Sequence, residues 1–299
     1  MPRLQGNGLG IALMILATAS FTLNDSFLKL ATEEVPPFQA LAMRGLGSTI
    51  LGLPLLFALG FGRHTGRMFE KRVSVRNGLE LVCAMFSVVG LALVPLADLT
   101  ALGQTSPLLL LLGAAVIFRE RLSPIQIALI ILAFIGALMV AQPGGSNFSP
   151  YVLLGLAAAA TVAVRDLIGR GIPAEIPGLV IAVGAGAITT VGAGIAALLF
   201  DRLTMPSLPT VLFTLGSGAF LVAGHVLLLA AYRAASMSAV APFLYMATVW
   251  ALLAGMLIFG SVPNWLALLG IAVIVVSGIA VVALERWPKK ANVPLELSP

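Results

Sequence analysis

The chain is divided into continuous apolar blocks of about 20 residues, the length an α-helix rising 1.5 Å per residue needs to cross about 30 Å of hydrocarbon. The blocks run over residues 8–30, 38–60, 77–97, 99–118, 123–141, 151–170, 177–200, 209–231, 237–259 and 264–284. Turn chemistry separates them: Val35-Pro36-Pro37, Pro143-Gly144-Gly145-Ser146-Asn147, Pro206-Ser207-Leu208-Pro209 and Ser261-Val262-Pro263-Asn264. Strands of a membrane barrel would be about 10 residues long and would alternate apolar with polar positions, so helices are expected throughout. Charged residues make up 10% of the chain, against about 25% in soluble domains, too few to build a water-facing surface. The expected fold is an all-α membrane protein with ten transmembrane helices.

The formal charge of +5 invites a nucleic-acid reading, but the basic residues sit in short loops between blocks, where they act as topology determinants. With the N-terminus inside, the inner segments hold Arg3, Arg63, Arg67, Lys71, Arg72, Arg76, Arg119, Arg121, Arg165, Arg170, Arg233, Arg286, Lys289 and Lys290, which is 14 of 17 basic residues. Lys29, Arg44 and Arg202 fall on the other side. Both termini are therefore expected in the cytoplasm, with the chain in a bacterial inner membrane. The single cysteine, Cys83, excludes an intrachain disulfide, and two histidines, His64 and His225, are too few for a structural zinc site; no metal or cofactor is expected. The first block is longer than a signal-peptide core and has no clear cleavage site, so it is expected to be retained. Residues 288–299 read as a disordered tail.

The chain also repeats itself. An offset of 141 carries Asp25 onto Asp166, Lys29 onto Arg170, Glu34 onto Glu175, Pro36 onto Pro177, Thr49 onto Thr190 and Phe118 onto Phe259. Charged residues are rare here, so their coincidence at one ungapped offset favours duplication over chance. The expected units are 1–145 and 146–287, each with five spans. Two copies of an odd-numbered unit enter the bilayer in opposite senses, which is the inverted-topology repeat of many carriers, with substrate held near the midplane between the halves.

Asn24-Asp25-x-x-x-Lys29, followed by Pro36-Pro37-Phe38-Gln39 and Arg44, resembles the opening of the EamA family of the drug/metabolite transporter superfamily. Thr100-Ala101-Leu102-Gly103-Gln104-Thr105-Ser106-Pro107, running into Phe118-Arg119-Glu120-Arg121-Leu122-Ser123-Pro124, resembles the end of that family's unit. The second half keeps Ala239-Val240-Ala241-Pro242-Phe243 and Phe259 but has Gly260-Ser261-Val262 where the acidic motif would lie. The resemblance spans about Gly8 to Leu284. It implies a five-plus-five inverted repeat and export or exchange of small metabolites, with YddG-type amino-acid exporters the nearest subtype. The N-terminal segments also resemble S-adenosylmethionine carriers.

An ionisable group inside a span costs on the order of 3 kcal/mol, so each needs a partner or a task. Asp25 and Lys29, four residues apart, are expected to form an ion pair or an outer gate, with Arg44 completing the cluster or meeting a substrate carboxylate. Arg165, Asp166 and Arg170 are the matching inner-gate candidates; anchoring at the interface is the plainer reading. Substrate-cavity candidates are Asn24, Arg44, Glu80, Gln104, Thr105, His225, Tyr245 and Trp250. For the buried polar ones, hydrogen bonding between helices is the competing reading. Trp265 and Trp287 suit the aromatic belts at the membrane interfaces. Pro107 and Pro242 are expected to kink their helices, and Gly184, Gly186, Gly192 and Gly194 to permit close packing. No phosphate-binding loop, metalloprotease motif or nucleophile–base order is present, so no enzyme is expected. Three functions remain: an amino-acid carrier, a carrier of S-adenosylmethionine or similar nucleotide-like metabolites, and a non-transporting scaffold. The expected partners are a small-molecule substrate and the lipid bilayer, with no nucleic acid.

Overall fold

The computed structural model describes residues 7–106, 108–109, 112–113, 116, 123–142, 149–169, 172–173, 175–235 and 241–285. Among these, ten α-helices form: α1 (Asn7–Ala31), α2 (Pro37–Ala58), α3 (Lys71–Leu93), α4 (Leu96–Gly103), α5 (Pro124–Ala141), α6 (Leu153–Gly169), α7 (Gly178–Phe200), α8 (Leu208–Ala234), α9 (Met246–Leu257) and α10 (Trp265–Glu285). Short 3₁₀ turns cover Gly62–Phe69, Pro150–Val152 and Ala241–Tyr245, and the described residues contain no strand. Six stretches are long and apolar enough to cross a membrane; α5, α9 and α10 contribute shorter apolar helices.

The turn residues act as expected. Pro36 and Pro177 stand just before α2 and α7. Ser207 caps α8 by accepting from the Thr210 N–H, which satisfies one of the orphan donors of the first turn. Gly60 adopts a positive φ of 78° just past α2, a conformation a Cβ would disfavour.

Three boundaries differ from expectation. The third helix starts at Lys71, six residues before the apolar block, because lysine and arginine are good helix formers that a hydropathy reading discards. The fourth block is broken by a turn: α4 ends at Gly103, Gln104 and Thr105 turn, and residues 106, 108–109, 112–113 and 116 are again helical, while Pro107 and the Phe118–Leu122 motif lie outside the described residues. The ninth span is interrupted, since the Ala241–Tyr245 turn containing Pro242 precedes α9. Arg170, Gly144–Ser146, Val240, Trp287 and the tail from 288 onward also lie outside the described residues.

The packing is that of a membrane protein turned outward. Large apolar side chains such as Leu198, Phe200 and Leu257 are exposed, while Thr18, Ser20, Thr22, Asn24, Ser26, Ser48, Asn77, Thr214 and Ser217 are buried. Lipid cannot satisfy a hydrogen bond, so polar side chains gather between helices. Ser20 donates to the Phe220 carbonyl (2.8 Å) and Ser217 to both the carbonyl and the side-chain oxygen of Asn24 (2.9 Å each), joining α1 to α8.

The principal interfaces are α1 with α8 and α9, α2 with α7 and α8, α3 with α6 and α7, α4 with α6 and α9, and α5 with α10. This set is unchanged when each helix is exchanged with the one five places along. The pair α1–α8 becomes α6–α3, α2–α8 becomes α7–α3, α1–α9 becomes α6–α4, and the other three pairs map onto themselves. Helix ends follow the offset too: 37 + 141 is 178, the start of α7; 124 + 141 is 265, the start of α10; 93 + 141 is 234, the end of α8.

At the self-mapping α2–α7 crossing, a Cβ on Gly45 would stand 2.8 Å from the Thr190 nitrogen, and one on Gly186 would stand 2.6 Å from the Ser48 hydroxyl and 3.0 Å from that of Thr49. Gly45 and Gly186, like Thr49 and Thr190, are 141 apart. Each threonine donates to the carbonyl of the glycine four residues before it (2.8 Å in both helices). Gly136 and Gly270 make the corresponding close approach between α5 and α10. Of the other α7 glycines expected to permit packing, Gly184 and Gly192 meet neighbours and Gly194 faces open space.

Candidate functional site

Two cavities open toward opposite ends of the helices. The first, about 240 Å³, lies among the C-terminal parts of α1 and α3, the later part of α4 with the Gln104 turn that ends it, and the start of α6. Asp25, Ser87, Thr100 and Gln104 are its polar lining, and Leu91 and Leu99 its larger apolar walls. The second, about 260 Å³, lies among the start of α3, the end of α6, the start of α7 and the later part of α8, with Arg76 and His225 on its wall.

Near the first cavity, the Asn24 amide donates to Asp25 Oδ1 (2.8 Å) while its own oxygen accepts from Ser217. The expected Asp25–Lys29 ion pair is absent. Lys29 Nζ donates instead to the carbonyls of Leu91 and Val94 and lies over the Phe259 ring. Helix α3 stops at Leu93, so its last carbonyls lack intrahelical donors, and a nearby ammonium satisfies them better than an exposed pair would. Arg44 is buried on α2 with no partner for its Nε among the described residues. The carboxylates of Asp25 and Glu80 both favour its charge.

Near the second cavity the helices are joined by charge. Glu80 Oε2 accepts from Arg165 Nη1 (2.7 Å) on α6 and faces Arg76 Nη2 (3.0 Å) one turn earlier on α3. Arg165 also bonds Asp166 Oδ1 through Nε (2.8 Å). Arg76 reaches the Asn77 side-chain oxygen (3.0 Å), and Asn77 donates to the Ile181 carbonyl on α7 (3.2 Å). Two cations and two anions sum to zero, which is what permits them to sit between helices. His225 Nδ1 lies 2.8 Å from the Leu221 carbonyl and must donate to it, and its ring meets Phe21 edge-on at 5.2 Å.

Of the residues singled out in the sequence, Asp25 and Gln104 line the first cavity and His225 the second. Glu80, Arg165 and Asp166 come together in one network, whereas Arg170 lies outside the described residues. Gln104 also donates to the Leu244 carbonyl (3.1 Å). Thr105 is buried and bonds the Leu102 carbonyl (2.7 Å), and Tyr245 is buried against Gly278. Tyr245 and Trp250 line neither of these cavities. Sequence reasoning missed Arg76 and Ser217 as interior residues. The offset could have found them, since 76 + 141 is 217.

Comparison with known proteins gives this geometry a setting. The model of the EamA-like transporter family matches residues 8–142. The pseudopaline exporter CntI of Pseudomonas aeruginosa is 30% identical over 288 residues, covering 94% of this chain and 97% of that one. An S-adenosylmethionine uptake transporter of Rickettsia bellii is 27% identical, covering 95% and 96%. A riboflavin transporter of Rhizobium johnstonii is 27% identical, covering 92% and 91%. A solved crystal structure superposes with a TM-score of 0.63 at 23% identity, covering 93% of this chain and 99% of that chain, which establishes likeness of fold. With relatives named as carriers of small molecules along nearly its whole length, this chain belongs to the EamA-like transporter family and is a multi-pass, all-α membrane transporter rather than an enzyme or an inert scaffold.

Proposed function

We propose that the chain exports amino acids, aromatic ones included, as a secondary carrier working by alternating access in a bacterial inner membrane. In this reading 1–145 and 146–287 are inverted copies of one five-helix unit, and both termini face the cytoplasm. The Asp25 cavity then faces outward and the His225 cavity inward. The observation that carries the reading is the set of helix interfaces that survives exchange of the two halves, together with one cavity at each end. Such an arrangement has two equivalent ways to close, the requirement for exposing one site alternately to two sides. Cavities of about 240 and 260 Å³ fall below the usual range of about 300–1,000 Å³ for drug-sized ligands and suit a small metabolite.

A carrier of S-adenosylmethionine or a similar nucleotide-like metabolite is the second reading, favoured by the Rickettsia bellii relative. Proteoliposomes loaded with unlabelled solute and diluted into labelled solute separate the two. Counterflow of phenylalanine or a neutral amino acid is expected; counterflow of S-adenosylmethionine alone would replace the first reading with the second.

A further inference from the structure

We propose that Asp25 makes the cavity among α1, α3, α4 and α6 a binding site for a solute bearing an ammonium group. The inference rests on the carrier reading above and names the chemistry its outward cavity selects.

Asp25 is the one charged group among the described residues lining this cavity. Its nearest hydrogen-bonding partner is the neutral Asn24 amide. Among the described residues no lysine, arginine or histidine nitrogen pairs with it within 4.0 Å. The obvious intramolecular cation, Lys29, is held by the carbonyls of Leu91 and Val94 and lies over Phe259. Arg44 acts on Asp25 through space, but it is buried on α2, does not line the cavity, and shares its field with Glu80.

A carboxylate facing a small cavity with apolar walls is costly unless a positive group meets it. An ammonium carries three donors and a compact charge, so it can bond the free carboxylate oxygen, Gln104 and the Ser87 or Thr100 hydroxyl together. Leu91 and Leu99 leave an apolar wall for the rest of the solute. A zwitterion would also bring a carboxylate into the field of Arg44, leaving the site neutral.

Charged thiol reagents read this cavity without knowledge of the solute. In the full-length protein in proteoliposomes, Cys83→Ser removes the native thiol and Thr100→Cys places a reporter on the cavity wall. Rates of modification by aminoethyl methanethiosulfonate, which carries an ammonium, and by its anionic sulfonatoethyl counterpart are compared with the same pair of rates on a free thiol. The expected preference for the ammonium reagent is about tenfold, the scale of one charge acting across a few ångströms of partly wet protein. It should fall to the free-thiol ratio in Asp25→Asn and survive in Asp25→Glu. Phenethylamine should slow the modification and 3-phenylpropanoate should not.

An equal or anionic preference, no reaction at the reporter, or a preference indifferent to Asp25→Asn would each overturn the proposal. Amino-acid counterflow measured in the same vesicles keeps the two readings apart. Loss of counterflow with the cationic preference intact defeats the amino-acid assignment alone. Intact counterflow with no Asp25 dependence defeats this inference alone.

Discussion

The α1–α8 contact and the α6–α3 contact occupy corresponding places in the two halves, yet they are closed by different chemistry. In the first, Asn24 bonds Asp25 beside it and Ser217 across the interface. In the second, Arg165 stands where Asn24 does and bonds Asp166 beside it, while Arg76 stands where Ser217 does and Glu80 bridges the two arginines. The positions are repeated and the bonding between them is not: one pair meets directly, the other through Glu80. Outside the helices the asymmetry reverses. Glu34 accepts from the Ser207 hydroxyl, the Ser207 N–H (2.8 Å) and the Thr210 hydroxyl, tying the 32–36 loop to the start of α8. Its counterpart Glu175 has Gly66 and Phe69 at the matching positions, neither with a hydroxyl. One end is held by a neutral helix contact and a loop latch, the other by an ion network, with no hydroxyl at the two positions that match the latch. Helix contacts thus form at matching positions in the two halves, while the side chains found there set how strongly each holds.

The largest effect should come from Glu80→Gln, which removes the anion between Arg76 and Arg165. These side chains are 15–25% exposed, so the cost should fall somewhat below that of a fully buried pair, at about 2–4 kcal/mol. Thermal unfolding of the purified full chain in detergent measures it, and Arg76→Gln added to Glu80→Gln should restore part of the loss. No recovery in the double variant would mean the repulsion between arginines is not the cause.

Gly45→Ala should cost about 1–3 kcal/mol, because its Cβ would press on the α7 backbone at Thr190 with no flexible side chain to give way. Gly186→Ala meets the Ser48 and Thr49 hydroxyls instead and should be milder. Equal effects would contradict that distinction. Ser217→Ala should cost only about 1 kcal/mol, the net worth of a neutral hydrogen bond, and its unfolding midpoint should shift far less than that of Glu80→Gln. A shift as large in both would erase the comparison between neutral and charged contacts.

The smallest effect concerns the latch. Hydrogen bonds from Ser207 and Thr210 hold the Glu34 carboxyl below its ordinary value of 4.5. A depressed folded pKa contributes stability above the unfolded value and loses it as pH falls through the folded one, so the latch persists at neutral and mildly acidic pH and weakens only in stronger acid. Protection of the 207, 208, 210 and 211 amides against hydrogen exchange, relative to their intrinsic rates, should fall in that acid range in the native chain. In Glu34→Gln it should already be low at neutral pH and respond little to acid.

Much of the architecture was legible beforehand because the bilayer imposes it. Spans must be apolar for about 20 residues, and the Pro36-Pro37 and Pro177 breaks mark helix starts that the structure retains. The 141-residue offset was legible because charged residues are scarce, so Asp25 and Asp166 stand out. Arg76 was misplaced into a loop because an apolar window cannot see a helix that opens with Lys71 and Arg72. Lys29 was paired with Asp25 because four-residue spacing is a local rule, while the carbonyls that take its ammonium come from α3, about 60 residues away.

From residue order alone came the membrane class, the helix blocks and the 141-residue offset, since hydrophobic length and the placing of rare charges can be read along the chain. The partner of each charge was settled only by tertiary structure. Glu80 meets Arg165 at 85 residues' separation and Asn24 meets Ser217 at 193. In a low-dielectric interior the energy of a polar group depends on whichever complementary group folding brings within about 3 Å of it, and that distance is written in no local pattern.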